Sequence, residues 1–229
     1  MKILIFDSSS IITLVMNGLE TILKDLKKEC DCKFIIPQAV KQEIIDRPLK
    51  IHRYELDALK IQKLLDEKVL ELPDAVGIDS NLIQQKTKLI LVKVNNSYFS
   101  GSEPIKLIQI GEAAALALSE ILTNQNIKNM LCVDERTTRM MFEKPENLRK
   151  LLQGKLHTKI KLKKSEIPKL NIKFIRSTEL AYVAYKKGIL KYRNPTNNKK
   201  QILNALLWAT KLKGSAISPE EIKEIINIG

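Results

Sequence analysis

Two short apolar segments, each ending at an aspartate, constrain the fold of this chain most. Residues 3–6 (ILIF) run directly into Asp7, and residues 129–133 (NMLCV) run directly into Asp134. Continuous apolar runs of this length are typical of strands that are buried on both faces, as in a parallel sheet. Strand and helix patterns alternate between them, so the sequence predicts an α/β fold with a parallel sheet covered by helices.

The remaining segments are assigned from their apolar spacing and turn residues. Helices are predicted at 11–29, 55–68, 111–122, 177–190 and 201–212, after Pro37, and from Pro219 onward. The last helix is expected to begin with a capping box formed by Ser218 and Glu221. Further strands are predicted at 34–36, 69–72 and 89–94, an exposed loop at 95–104, and a turn-rich linker at 193–200.

The composition narrows the class of protein. The chain has 229 residues and a net charge of +13, which favours a polyanionic partner such as nucleic acid. Asp7 interrupts the N-terminal apolar run, so no signal peptide is expected, and no segment is long and apolar enough to span a membrane. The three cysteines lack zinc-like spacing and are expected to be reduced, which predicts a cytoplasmic protein.

A basic stretch at 155–173 carries seven lysines against the single acid Glu166. Ile160 and Leu162 alternate with lysines, a strand-like rhythm whose outer face could contact RNA phosphates or simply be solvated. Contact with RNA is favoured because the charge is nearly all of one sign. The lysines expected to bind RNA are Lys159, Lys161, Lys163, Lys164 and Lys169.

The aromatic and histidine residues are weaker signals. Tyr98 and Phe99 could stack on bases, although packing against the body of the protein is the favoured interpretation. Tyr182, Tyr185 and Trp208 are expected to fill core. The two histidines, His52 and His157, are isolated and do not indicate a general base.

Four carboxylates share a setting that predicts a metal site. Asp7 and Asp134 end strands, Glu112 begins a helix after Gly111, and Glu43 lies two turns into the helix after Pro37. Ligand sites gather at the carboxyl ends of parallel strands, so these acids could converge there. Carboxylates without histidine or cysteine suit Mg²⁺ or Mn²⁺, which could activate water for cleavage of a phosphodiester. Singly, each acid could instead be a helix cap, a solvated helix residue or part of a turn.

Five segments together resemble the PIN-domain family, and its archaeal members in particular. They are FDSS, IPQAVKQEI, GEAAALAL, LCVDERTTR and IRSTELAYVAYKKGIL. The resemblance implies a three-layer α/β/α sandwich with a central parallel sheet and Mg²⁺- or Mn²⁺-dependent endoribonuclease activity. It also implies that Asp7, Glu43, Glu112 and Asp134 form the catalytic, metal-binding quartet, supported by Ser9, Glu135 and Arg139. A homodimer is a further possibility that the resemblance suggests.

The chain departs from small PIN-domain toxins in length. It has extra sequence at 75–104, a basic insertion at about 143–171, and C-terminal helices. We therefore expect a PIN-like domain over 1–192, interrupted by the insertion, and a C-terminal helical extension over 193–229 packed on the same domain. These additions favour RNA processing over a toxin with an antitoxin partner. A non-catalytic RNA-binding or assembly protein remains an alternative, whereas an aspartate-based phosphohydrolase is disfavoured because Ser9 replaces its second aspartate.

Overall fold

The computed structural model describes residues 2–189 and 199–228, apart from the side chain of Lys199. The strands are β1 (Lys2–Phe6), β2 (Cys32–Ile35), β3 (Tyr98–Ser100), β4 (Glu103–Pro104), β5 (Asn129–Cys132), β6 (Ile160–Leu162) and β7 (Phe174–Ile175). The first helices are α1 (Ser8–Val15), α2 (Glu20–Glu29), α3 (Gln38–Lys41), α4 (His52–Asp66), α5 (Ser80–Asn95) and α6 (Ile110–Asn124). They are followed by α7 (Arg136–Glu143), α8 (Pro145–Leu156), α9 (Ser177–Lys186), α10 (Lys199–Leu212) and α11 (Pro219–Ile228).

The central sheet is entirely parallel, with the strand order β2-β1-β5-β7. This confirms the predicted α/β fold. Strand β1 lies between β2 and β5, and Leu4 is in register with Phe34 on one side and Met130 on the other. Because β1 and β5 are neighbours, the two aspartates that follow them lie at the same edge of the sheet.

Helices bury both faces of β1, which explains why its sequence is apolar without a break. Leu4 and Phe6 join the core cluster that includes buried residues of α1, α2 and α9. Ile3 and Ile5 join the opposite cluster, which includes buried residues of α5 and α6. The alternation of side chains along a strand sends successive residues to opposite faces.

A second, antiparallel sheet joins the two segments that the sequence marks as extra. Its order is β4-β3-β6, and Tyr98 pairs with Leu162 across it. The predicted exposed loop at 95–104 is therefore wrong: it is mostly a hairpin, and Tyr98 is fully buried with its hydroxyl donating to the Pro145 carbonyl at 3.0 Å. The strand-like rhythm predicted around Ile160 is confirmed.

Two predicted strands are wrong. Residues 89–94 belong to α5, whose buried residues Ile83, Thr87, Ile90 and Val94 follow helical spacing. The apolar run there arises because Leu89 and Val92 face solvent beside the buried positions, so the run does not mark a strand. Residues 69–72 form no regular strand, and only Glu71 makes a single parallel bridge, to Ile35.

Gly18 divides the predicted helix at 11–29 into α1 and α2. Its φ of 66° lies in the left-handed region, which glycine adopts at little cost and which ends a helix. The following Leu19 donates its backbone N–H to Leu14 at 2.9 Å, which satisfies a carbonyl at the end of α1. The buried faces of the two helices include Leu14 and Val15 in α1 and Ile22, Leu23 and Leu26 in α2, whereas Ile12 is exposed.

The C-terminal helices pack against the body that contains the sheet. Leu206 of α10 belongs to the core cluster on the α9 side, and Asn17 donates to the Ala209 carbonyl at 3.2 Å. The predicted capping box of α11 is confirmed by reciprocal hydrogen bonds between Ser218 and Glu221. The boundary after residue 192 and positions 193–198 of the predicted linker lie outside the described residues, and residues 199–200 belong to α10.

The redox state of the cysteines differs in part from the prediction. Cys30 and Cys32 form a disulfide, with a Cα–Cα distance of 5.3 Å, so the prediction that all three are reduced is wrong. They flank Asp31 in the tight connection between α2 and β2, which brings their backbones within bridging distance. Cys132 is free and buried, as expected. Within the described ranges, no helix combines the length and apolar character needed to cross a membrane.

Candidate active site

Asp7 is buried at the point where β1 ends, and it caps the N-terminus of α1. Its Oδ2 accepts hydrogen bonds from the backbone N–H of Ser9 at 3.2 Å and from the Ser9 hydroxyl at 2.8 Å. Its Oδ1 is buried without a hydrogen bond within the described part of the chain. Burial raises the pKa of Asp7 to about 6, against the hydrogen bonds from Ser9 and Ser8, and the charge of Glu43 adds to the rise.

Glu43 reaches the same place from a π-helical turn, Gln42–Asp46, that continues α3. The Ser8 hydroxyl donates to its Oε2 at 2.9 Å, which ties Glu43 to the residue after Asp7. The same oxygen lies against Gly111, so closely that a Cβ atom at position 111 would clash with it. Gly111 is therefore required for the close approach of Glu43 to the start of α6.

We expect Gly111→Ala to displace Glu43 without unfolding the protein. The clashing atom is the end of a flexible side chain, and alanine is favoured over glycine in a helix by up to about 1 kcal/mol, so the melting temperature should not fall. Binding of Mn²⁺, measured by calorimetric titration, should weaken at least about tenfold. Gly154→Ala in α8, where a Cβ atom meets nothing within 4 Å, is the control. Unchanged Mn²⁺ affinity in Gly111→Ala would show that Glu43 is not a ligand.

Glu112 begins α6 and is partly fixed by its own backbone. Its Oε2 accepts from the backbone N–H of Gln109 at 2.9 Å in a capping box, and its Oε1 accepts a hydrogen bond from the Thr138 hydroxyl. Burial, and next the charge of Asp7, raise the pKa of Glu112 to about 7, and Glu135 contributes further. Glu112 is thus electrostatically coupled to the end of β1 and to the start of α7.

Asp134 is fully buried, and its carboxylate accepts hydrogen bonds from two serines. Oδ1 accepts from the Ser177 backbone N–H at 2.8 Å and from the Ser215 hydroxyl at 3.1 Å, and Oδ2 accepts from the Ser177 hydroxyl at 2.6 Å. Its backbone N–H donates to the Ser9 hydroxyl at 3.1 Å, so Ser9 links the ends of β1 and β5. The structure thus brings together Asp7, Glu43 and Glu112, and it directs the Asp134 carboxylate towards α9 and the C-terminal segment.

The other two supporting residues, Glu135 and Arg139, make contacts outside the group of Asp7, Glu43 and Glu112. Glu135 is exposed and caps α7 by accepting from the Thr137 backbone N–H at 3.3 Å. Arg139 donates to the Ala216 carbonyl at 3.3 Å, and Arg176 donates to the same carbonyl at 3.0 Å. Arg139 therefore ties the segment between α10 and α11 to α7, which is a structural role.

No ready-made metal site exists in the ranges that the structure describes, since no three His, Cys, Asp or Glu side chains are grouped closely enough to hold an ion. The donor set nevertheless fits a hard divalent cation. Asp7, Glu43 and Glu112 supply only oxygen ligands, and among the described residues none of the three forms a salt bridge. The pKa values of Asp7 and Glu112 are raised, and a bound cation would lower them.

The predicted RNA-binding lysines are all exposed, and they lie on β6 or on either side of it. Lys161 pairs with Phe99 across the second sheet, and the Lys163 ammonium lies 4.3 Å from the centre of the Phe99 ring. Lys164 forms a salt bridge of 3.0 Å with Glu146. Lys159 and Lys169 are exposed beyond the strand ends.

The sequence did not single out Ser8, Thr138, Ser177 or Ser215, whose hydroxyls hold the acids. Ser177 had a weak signal, since it begins a predicted helix directly after a strand, whereas nothing around Ser215 marks its partner. No protein-family profile, curated protein or solved structure matches this chain. The function is therefore inferred from the chemistry of the site.

Proposed function

We propose that the protein is a metal-dependent endoribonuclease with a PIN-like fold. The observation that carries the proposal is the cluster of Asp7, Glu43 and Glu112 at the carboxyl edge of the parallel sheet. The chain has 13 more basic than acidic residues, yet no lysine or arginine in the described ranges forms a salt bridge with these three acids. A cluster of uncompensated carboxylates in such a protein supports binding of Mg²⁺ or Mn²⁺.

The residues of the site have two roles: the carboxylates bind the cation, and the neighbouring hydroxyls orient the carboxylates. Asp7, Glu43 and Glu112 supply the ligands, and Ser9, Ser8 and Thr138 fix their carboxylates through the hydrogen bonds described above. A divalent cation bound there supplies activation of water and neutralisation of charge on the phosphodiester. Glu135, which is exposed, adds negative charge near Glu112.

Asp134 is proposed to position other parts of the site and not to bind the cation itself. Its carboxylate anchors α9 and the C-terminal segment to the end of β5, while its backbone N–H holds the Ser9 hydroxyl that orients Asp7. This role differs from the direct ligation that the resemblance implies. It places the C-terminal helices within the structure that supports the site.

The second sheet is proposed to hold the RNA substrate. Lys159, Lys161 and Lys163 alternate with inward-facing residues, so their ammonium groups share one face with Phe99. Such a face can bind phosphates through lysine and stack a base on the aromatic ring. The segment 105–109 connects this sheet directly to the start of α6, and Asn95 fixes it by accepting from the backbone N–H groups of Leu107 and Ile108 at 2.7 and 3.1 Å.

The proposal is tested by incubating the purified full chain with a panel of end-labelled RNAs in Mn²⁺, Mg²⁺ or EDTA. Cleavage is expected with either cation and not in EDTA. Glu112→Gln should lower the rate at least about 100-fold, because it removes a ligand charge. Glu120→Gln, on the same helix but paired with Lys86, should leave the rate unchanged.

Other results would favour the alternatives. RNA binding in EDTA that depends on Lys159, Lys161 and Lys163, without cleavage of any RNA, would support a non-catalytic RNA-binding protein. Cleavage that survives Glu112→Gln would overturn the assignment of the site. A toxin would be indicated only if a small protein bound the chain and blocked its cleavage activity.

A further inference from the structure

The helices of the protein leave the central sheet uncovered at Met130, between α2 and α9. Leu4, Phe34 and Met130 are in register on neighbouring strands, so they share one face of the sheet, and Ile175 of β7 continues it. These four residues form the floor of a groove of about 670 Å³, which we call the sheet groove, and of them Met130 is exposed whereas Leu4 and Phe34 are buried. Its walls come from α2 and from α9.

An exposed apolar residue in an inner strand of a parallel sheet is unusual, because such sheets are normally covered by helices on both sides. Met130 nevertheless is 37% exposed in a central strand, and Val183 of α9 is 38% exposed beside it. A methionine at such a position adapts readily to the shape of a bound partner. The exposed apolar area therefore indicates a surface that another molecule covers.

Four lysines surround the sheet groove. Lys2, Lys128, Lys173 and Lys187 are all exposed, and none of them forms a salt bridge within the described ranges. None of the residues that line the groove, all of them described, is acidic. An apolar floor within a basic rim is complementary to a ligand that carries both apolar and acidic groups.

The sheet groove is distinct from the acidic cluster. It lies at the start of the strands, whereas the acids lie at their carboxyl ends. Lys2 and Asp7 are separated by the length of β1, which is about 16 Å of extended chain. The groove and the acids are therefore separate places in the fold.

We propose that the sheet groove binds an acidic, amphipathic segment of a partner protein. Apolar side chains of that segment contact Met130 and Val183, and its carboxylates pair with the rim lysines. The rim carries four lysines on four separate segments of the chain, so a single carboxylate does not serve all of them. This arrangement favours a chain with several acids over a fatty acid.

Two other occupants fit less well. A second copy in a symmetric contact would place the same lysines near one another, which is unfavourable for both chains. A nucleic acid would neutralise the lysines but would leave the apolar floor uncovered, since its outer surface is charged. An acidic amphipathic protein segment is complementary both to the apolar floor and to the basic rim.

The test uses an array of short peptides in which leucine or phenylalanine alternates with glutamate, followed by fluorescence anisotropy of the strongest binder with the full chain. Met130→Glu should weaken binding at least about tenfold by placing a charge on the floor. Lys128→Glu together with Lys173→Glu should also weaken it, and should instead favour the matching peptide with lysines in place of glutamates. Leu89→Glu on α5, a 63% exposed apolar position elsewhere, is the matched control and should have no effect.

Several results would overturn the proposal. One is that no peptide binds, and another is that Met130→Glu binds as tightly as the wild type or no more weakly than Leu89→Glu. Dodecanoate binding without peptide binding would assign the groove to a fatty acid. Concentration-dependent dimerisation in sedimentation, abolished by Met130→Glu, would assign it to a second copy. Competition for the groove by an RNA oligonucleotide, lost in the same variant, would assign it to nucleic acid.

Discussion

Asp7→Asn is expected to abolish metal-dependent cleavage and, without metal, to make the protein more stable. Asp7 is 3% exposed and one of its oxygens has no partner in the described structure, so its ionised form is costly in the fold. A pKa raised from 3.8 to about 6 corresponds to about 3 kcal/mol of lost stability at neutral pH. Asparagine removes the charge but leaves a buried amide, so the net gain should be about 1–2 kcal/mol.

The gain should depend on pH in a defined direction. Below pH 3.8 the Asp7 carboxyl is protonated in both the folded and unfolded states, so only the cost of the buried amide remains and the variant should be less stable by about 1–2 kcal/mol. The wild type then loses stability as the pH rises through about 6, because the folded state must ionise a buried group. The stability of the variant relative to the wild type should therefore rise between about pH 4 and 6, from a deficit to a gain, and stay constant above that range.

Urea denaturation in EDTA across this pH range measures the effect. Asp79→Asn is the matched control, because Asp79 also caps a helix by accepting a backbone N–H, at 3.0 Å, but is exposed. It should change stability little at any pH, since aspartate and asparagine are comparable caps. Added Mn²⁺ should stabilise the wild type and not Asp7→Asn. A variant that is less stable than the wild type at pH 7.5 would show that the buried carboxylate is compensated.

Asp134→Ala is expected to have the opposite effect on stability. The change leaves the Ser177 backbone N–H and the hydroxyls of Ser177 and Ser215 without their acceptor in a fully buried place. Each such group costs about 1–3 kcal/mol, so the free energy of unfolding should fall by about 3–5 kcal/mol. The melting temperature should fall by roughly 10 °C.

Glu135→Ala is the neighbouring control. Glu135 accepts one capping hydrogen bond at 3.3 Å and is exposed, so its removal should cost about 1 kcal/mol. Asp134→Asn, which keeps one acceptor oxygen, should fall between the two and remain folded for measurement. Equal stability of Asp134→Ala and the wild type would show that these hydrogen bonds do not anchor the C-terminal segment. Loss of cleavage in an Asp134 variant can be attributed to the site only if the melting data show that the variant is folded.

Local patterns sufficed where the decisive interactions are close in sequence. The apolar run before Asp7 predicted β1, and the Gly-Glu pair that begins α6 placed Glu112 at a helix start. The capping box of α11 was also visible, because Ser218 and Glu221 are three residues apart. In each case the spacing of residues along the chain decides the structure.

Other predictions failed because the deciding partner is remote. The run at 89–94 is apolar enough for a strand, and only packing against α6 shows that it belongs to a helix. Tyr98 was placed in a loop because its strand partner Leu162 lies in another insertion. The disulfide between Cys30 and Cys32 depends on how closely the chain turns between α2 and β2.

The sequence by itself determined the alternation of buried strands and helices and the acids that end the strands, since these follow from residue spacing. Only the tertiary structure decided which carboxylate oxygens have partners. Asp134 and Ser215 are 81 residues apart, and Ser8 and Glu43 are 35 apart, yet each pair forms a hydrogen bond. Two aspartates that look equivalent after their strands thus differ: Asp7 keeps an unpaired oxygen, whereas Asp134 is saturated by serines that the fold brings to it.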